Sequence, residues 1–174
     1  DIDGIDMSTV GSKTITVSLT KNGGTCTDDI TINVIEKKHN YVNGVCTGCG
    51  SYEPPELKNG VYQIKNYANL YWFAALVNGT LTDGTAKNTS ANAVLVNDIT
   101  VNSIANMGNY LEWTPIGSPT NQYTGTFDGQ GHKITGLYFD DASAEYVGLF
   151  GFSSGTIKNV GVVGSYFNGK NGVG

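Results

Sequence analysis

Tyr123-Thr124-Gly125-Thr126-Phe127 is followed, 23 residues on, by Tyr146-Val147-Gly148-Leu149-Phe150, with Tyr, Gly and Phe at matching places. The same offset sets Lys133-Ile134-Thr135-Gly136-Leu137-Tyr138-Phe139 over Thr156-Ile157-Lys158-Asn159-Val160-Gly161-Val162. Two separated segments that match in one register indicate a structural repeat, and Gly172-Val173-Gly174 stands close to where a third unit begins. Periods in the twenties mark solenoids, in which each unit buries its apolar face only against a neighbour. A leucine-rich repeat carries a dense Leu ladder and an Asn at a fixed offset, and neither is present. Each unit instead holds two or three short strands separated by Gly, Asn and Asp-Gly turns, which is the pattern of one coil of a parallel β-helix. The spacing predicts that Phe127 and Phe150 stack on adjacent coils as one inward column and Ile134 and Ile157 as another, about 4.8 Å apart along the axis. Glycines allow the bends between the faces of a coil.

The rest of the composition agrees with an all-β class. Only 14% of the 174 residues are charged, where about 25% is usual, and there are 24 glycines against 4 prolines. A helical domain solvates its outer face with Lys, Glu and Arg. A chain that uses Asn, Thr, Ser and Gly instead is mostly strand and turn. Hydrophobic residues reach 39%, enough for a packed core. The net charge of −5 argues against nucleic acid as a partner, since that needs a basic stripe to displace counterions. No apolar run approaches the roughly 18 residues of a membrane span, so this segment is not expected to insert into a membrane. Asp1-Ile2-Asp3-Gly4 does not read as a secretory signal.

Upstream of the repeat, one helix is expected. Leu70, Phe73, Ala74 and Val77 share a helical face, Asn66 is placed to cap the start, and Asn78-Gly79 to stop it. Its aromatic run, Tyr71-Trp72-Phe73, reads as packing rather than as a ligand platform, because a helix capping the end of a β core uses the same residues. Val61–Lys65 and Ala93–Val101 read as strands, and Trp113–Gly117 as a turn entry.

Residues 1–36 read as two strands. Lys13–Leu19 and Asp29–Ile35 alternate apolar and polar around Lys21-Asn22-Gly23-Gly24, which makes a hairpin with one face to bury. The stretch Asp6-Met7-Ser8-Thr9-Val10-Gly11-Ser12-Lys13-Thr14-Ile15-Thr16-Val17 resembles the closing strands of bacterial immunoglobulin-like stalk modules. The resemblance implies that residues 1–36 are the C-terminal part of such a module.

Residues 37–56 carry cysteines and end at Glu53-Pro54-Pro55-Glu56. In His39-Asn40-Tyr41-Val42-Asn43-Gly44-Val45-Cys46-Thr47-Gly48-Cys49-Gly50, a Cys-x-x-Cys before Gly forms a knuckle whose two thiolates converge on one ion. An imidazole nearby can add a third ligand. The expected site is structural zinc on His39, Cys46 and Cys49, with Cys26 as the fourth ligand if the chain folds back. A Cys46–Cys49 disulfide is the open alternative, with Cys26 left over. Catalytic zinc is not expected, as there is no H-E-x-x-H and no His pair at helical spacing. The segment is similar to short Cys/His linkers between modules of Gram-positive surface proteins, which read Cys-x-His, a spacer, then Cys-x-x-Cys-Gly. Here Lys37 stands in place of their first Cys.

Gly148-Leu149-Phe150-Gly151, Gly155-Thr156-Ile157-Lys158-Asn159-Val160, the stretch Gly125–Ile134 and the Trp113–Gly117 turn resemble the GLUG repeat. That family occurs in large bacterial surface proteins and adhesins, and in the non-catalytic N-terminal region of IgA-cleaving zinc metallopeptidases. The resemblance implies a right-handed parallel β-helix-like solenoid over residues 57–174, cut off in mid-repeat at its C-terminal end. It also implies an extracellular, cell-surface or cell-wall setting on a Gram-positive-type bacterium. The expected function is a non-catalytic structural or adhesive module facing a host or cell-wall glycan or protein. The alternatives are the non-catalytic region of a surface peptidase, and a carbohydrate-active β-helix.

No catalytic residue is expected in this chain. Asp128, Asp140 and Asp141 lie in or beside turns, where Asp is first a turn residue. Carboxylate catalysis needs one acid with a raised pKa in a cleft. No D-x-D-x-D-G calcium loop is present, and His132 between Gly131 and Lys133 reads as a turn residue. Tyr110, Tyr138, Tyr146 and Tyr166 are candidates for stacking on sugars, although Tyr146 shares its repeat position with Tyr123 and so reads as architectural.

Overall fold

Hydrogen bonding between strands far apart in sequence organises most of the chain. The computed structural model describes residues 11–34, 39–103 and 108–174. Among the described residues there are mostly strands and one helix, and the chain divides into units Asp1–His39 and Asn40–Gly174. Asp6–Val10 of the immunoglobulin-like phrase, Ile35 of the second expected strand, and Lys37 lie outside the described residues.

In the first unit, β1 (Gly11–Lys21) and β2 (Gly24–Val34) pair antiparallel around Asn22-Gly23. Both turn residues have positive φ, 52° and 79°, the geometry that a two-residue hairpin turn requires. One face is a run of polar cross-strand pairs in register: Ser12 Oγ donates to Asn33 Oδ1 (2.7 Å), Thr16 Oγ1 to Asp29 Oδ1 (2.7 Å), and Thr20 meets Thr25 (2.9 Å).

The second unit opens with a two-residue-strand hairpin, β3 (Tyr41–Val42) and β4 (Val45–Cys46). Next, β5 (Glu56–Lys58) pairs antiparallel with β6 (Val61–Ile64). The expected helix follows as α1 (Tyr67–Asn78). Asn66 Oδ1 accepts from the Asn69 N–H (2.9 Å), and Gly79 at φ 72° closes the end. Nearly every side of α1 is buried, and Tyr71, Trp72 and Phe73 all belong to the core.

The stretch expected to form one strand from Ala93 to Val101 forms two, β7 (Asn92–Leu95) and β8 (Ile99–Thr100), in different sheets. The break falls at Val96-Asn97-Asp98, where Asn97 Nδ2 donates to the Lys65 carbonyl (3.2 Å). The remaining strands are short: β9 (Thr126–Asp128), β10 (Lys133–Thr135), β11 (Tyr138–Asp140), β12 (Glu145–Val147), β13 (Thr156–Lys158), β14 (Gly161–Val163), β15 (Tyr166–Asn168) and β16 (Asn171–Val173). Parallel pairs link β6–β7–β9–β13, β8–β10–β14, β11–β15 and β12–β16.

The register differs from the 23-residue expectation. Phe127 pairs with Ile157, not with a residue on the Phe150 segment; Ile134 pairs with Val162; Tyr123 bridges Ser153; and Phe150 bridges Ile116. Successive strands therefore recur after about 26 to 35 residues, as in Glu145↔Asn171 and Ile99↔Ile134. The physical reason is that the two Tyr-x-Gly-x-Phe motifs occupy different sheets. Phe127 and Phe150 do touch, edge to face with ring centroids 5.3 Å apart, but as neighbours across the core.

The core is built from register-equivalent apolar positions: Ile64 beside Leu95, Ala93 beside Phe127, and Ile99 beside Ile134. Phe73 of α1 meets both Tyr123 and Phe127, at 6.1 Å each. Trp113 is fully buried, with Nε1 donating to the Gly148 carbonyl (3.0 Å). On β13 and β14, which pair on one side only among the described strands, the equivalent positions Ile157 and Val162 are 40% and 41% exposed.

This gradient gives an unequal cost for truncating two residues paired in register. Phe127→Ala should lose about 3–5 kcal/mol of unfolding free energy, whereas Ile157→Ala should lose less than about 2 kcal/mol. Urea unfolding of both variants measures it, and equal losses would contradict the burial gradient.

Candidate functional site

Two groupings bring chemistry-bearing side chains together. The first lies in the stretch 39–49. The β3–β4 hairpin turns at Asn43-Gly44, and the chain then loops through Cys46-Thr47-Gly48-Cys49-Gly50. Backbone bonds fold this loop tightly: the Gly50 N–H donates to the Cys46 carbonyl (2.8 Å), the Cys46 N–H to Ser51 (2.8 Å), and the Thr47 N–H to Asn40 (3.0 Å). As a result one ligand atom each from His39, Cys46 and Cys49 lies within 4.8 Å of the others. Cys46 is buried, Cys49 is exposed, and the Cys49 sulfur contacts the Ser51 hydroxyl at 3.0 Å. Tyr41 borders the same loop, and burial pushes its phenol pKa up.

Two thiols and an imidazole are a donor set that zinc accepts, and their proximity allows one ion to contact all three. Of the four residues that sequence reasoning assigned to metal, the structure thus gathers His39, Cys46 and Cys49. Cys26 lies exposed on β2, in the first unit.

The second grouping is a groove of about 560 Å³ that crosses three successive chain passages. Tyr110, Tyr138 and Tyr166 line it, together with Asn102, Ser103 and Leu137. The rings form a ladder, with Tyr110 and Tyr138 centroids 4.8 Å apart at 29° and Tyr138 and Tyr166 5.4 Å apart at 18°. The register pair Tyr138↔Tyr166 produces the second step directly, since parallel strands place equivalent side chains side by side. The first step depends on Asn102. Its buried amide donates to the carbonyls of Leu111 (2.9 Å) and Gly136 (2.8 Å) and accepts from the Leu111 N–H (2.8 Å), which fixes the backbone next to Tyr110. Gly136, at φ 77°, sits where a side chain would run into the Asn102 backbone.

Tyr146 stands apart from this ladder, against Phe152. The sequence reading already set Tyr146 aside as architectural, but it gave no order to Tyr110, Tyr138 and Tyr166. The Gly-x-Tyr-Phe-Asp/Asn motif, at Gly136–Asp140 and again at Gly164–Asn168, is the signal that pairs Tyr138 with Tyr166.

The acidic residues serve the backbone. Asp128 accepts from the Gln130 N–H (2.9 Å) and Asn159 Nδ2 (3.1 Å) and pairs with Lys158 (3.3 Å). Those contacts, led by the Gln130 backbone bond, hold its carboxyl below the usual range. The Lys133 N–H and His132 do the same for Asp98, with His132 Nδ1 at 3.1 Å, and the Ser143 side chain and N–H for Asp141. A general acid needs the opposite shift.

No family model matches the chain. No solved structure matches it. A protein of Evansella cellulosilytica, whose name gives it as a Gly-rich membrane protein, is 34% identical over 74 residues, covering 41% of this chain and 8% of that protein. Halomucin of Haloquadratum walsbyi is 34% identical over 140 residues, covering 76% of this chain and 1% of halomucin. The chain therefore spans a small fraction of either relative. No helix among the described residues is long and apolar enough to cross a membrane.

Carboxylates with lowered pKa stabilise the folded state above their unfolded values, and that contribution is lost as pH falls through the folded ones. Thermal stability should accordingly drop below about pH 4, and Asp128→Asn should make the acid side of the Tm–pH profile shallower. An unchanged profile would contradict these assignments.

Proposed function

We propose that this chain is a non-catalytic module of a larger secreted or cell-surface protein, with a right-handed parallel β-helix-like scaffold over residues 57–174. The observation that carries the reading is the set of parallel pairings in register, in which strand after strand lies beside its equivalent from the previous passage. Such an architecture builds a long, repetitive surface rather than a closed catalytic cleft. The low charge and the Asn, Thr and Gly-rich exterior suit that role, and the acidic residues are engaged in turns and cross-strand contacts. The names of the two relatives support an extracellular or membrane-associated setting. In this reading the 11–34 hairpin belongs to an immunoglobulin-like module and residues 57–174 to GLUG-type repeats.

The setting is tested on intact source cells, with an antibody against this segment and externally added protease. Surface labelling that the protease removes is the expected result. Labelling only after the cells are lysed would refute the proposal.

The His39, Cys46 and Cys49 cluster supports a second element of the reading, a structural zinc ion. So short a loop buries little apolar area, and a metal–thiolate site supplies folding energy that it otherwise lacks. Protein purified without chelator should contain about one zinc per chain. Cys49→Ser should abolish it, and Cys26→Ser should weaken it if Cys26 supplies the fourth ligand. A zinc-free protein with a single titratable thiol would instead establish a Cys46–Cys49 disulfide.

A further inference from the structure

We propose that the groove along Tyr110, Tyr138 and Tyr166 binds a neutral glycan strand; this rests on the reading of the chain as a surface module and names what that surface holds. Three features of the groove select the ligand. None of the described lining residues is charged, and the ionised group that Tyr138 contacts, Asp140, is acidic, so an anionic polymer or an anionic lipid headgroup finds no counter-charge there. The walls join aromatic rings and Leu137 to hydroxyl groups, the mixture that marks a small-molecule or oligomer site. A pyranose has the matching character, with an apolar C–H face and hydroxyls around its edge.

The third feature is periodicity. The ring-to-ring steps of 4.8 Å and 5.4 Å run along the direction in which the strands stack. A β-linked hexose chain advances by a similar distance per sugar, so successive residues meet successive tyrosines. The inner ring, Tyr138, is held between its neighbours, and its hydroxyl donates to Asp140 (3.1 Å), leaving the oxygen to accept. The outer members, Tyr110 and Tyr166, are 42% and 51% exposed. The glycan runs along the ladder, with its C–H groups over the exposed edges of the Tyr166, Tyr138 and Tyr110 rings and its hydroxyls beside theirs. Asn102 takes part as a positioning residue, because its amide is spent on the backbone of Leu111 and Gly136.

The test uses the 174-residue chain with cellohexaose, chitohexaose and maltohexaose as neutral probes and hexagalacturonate as the charged one. NMR of the tyrosine ring signals reports the site, and calorimetry reports the affinity. At least one neutral probe should shift the signals of Tyr110, Tyr138 and Tyr166. Tyr166→Ala should weaken its binding about tenfold or more, and Tyr166→Phe, which keeps the ring, should stay within about threefold of the parent. If Tyr166→Ala proves unfolded by circular dichroism, Tyr110→Ala is read in its place with the same expectation. Absence of ring shifts with every neutral probe would overturn the proposal. So would binding that the alanine variant leaves unchanged, or tighter binding of hexagalacturonate. These outcomes leave cell-surface labelling unaffected, and failure of surface labelling leaves the binding data unaffected, so the two readings fail separately.

Discussion

Parallel backbone hydrogen bonding between equivalent strands is the constraint on which the second unit depends. A strand of three residues is too short to be stable alone or in a two-stranded pair. Set beside its equivalent from the preceding passage, it gains a ladder of backbone bonds and adds one apolar side chain to a continuous interior column. Phe127 shows both effects. It sits between Ala93 and Ile157 in the ladder, and it receives Phe73 and Phe150 from elsewhere in the core. Because each strand covers the last, burial falls off where pairing is one-sided, as at Ile157 and Val162.

The corners between strands pose a separate problem, since the backbone there leaves the ladder while still inside the packed body. Asparagine resolves it repeatedly. Asn78 donates to the Pro115 carbonyl and accepts from the Gly117 N–H, both at 2.9 Å; Asn69 donates to Glu53 (2.9 Å); Asn92 accepts from the Thr126 N–H (2.8 Å); and Asn102 ties three backbone groups. An amide carries both donor and acceptor and so can stand in for a missing peptide partner. The low charge and high Asn content therefore have a shared cause in the architecture. The same device places Tyr110 beside Tyr138 and thereby completes the groove.

Much of this is legible in the sequence, and the failures have identifiable causes. The α1 boundaries follow from Asn66 and Gly79, and the β1–β2 turn from Asn22-Gly23, because capping and turn geometry are local. The repeat was visible but its register was misread. Tyr-x-Gly-x-Phe recurs because sharp bends favour Gly and the core favours aromatics, and both demands arise more than once within a single passage. The informative matches were Gly125-Thr126-Phe127 with Gly155-Thr156-Ile157 and Gly136-Leu137-Tyr138-Phe139-Asp140 with Gly164-Ser165-Tyr166-Phe167-Asn168. They have two different offsets, since corner loops vary in length, and a search for one fixed period passes over them. The Cys-x-x-Cys-Gly knuckle and His39 were readable from spacing alone. The Asn102 bridge was not, because nothing local distinguishes an asparagine that satisfies distant backbone from one in a turn.

The central claim is the register of parallel stacking, and a designed crosslink tests it most directly. Asp140 and Asn168 are Cα partners on adjacent parallel strands, which lie about 4.8 Å apart, within the Cα separation that a disulfide spans. In a background with the native cysteines replaced by serine, Asp140→Cys combined with Asn168→Cys should form an intrachain disulfide under mild oxidation while the protein stays folded. Asp140→Cys combined with Val163→Cys, which lies 23 residues on, should remain reduced. Ready crosslinking of the Val163 pair with none in the Asn168 pair would contradict the stacking register described for this fold.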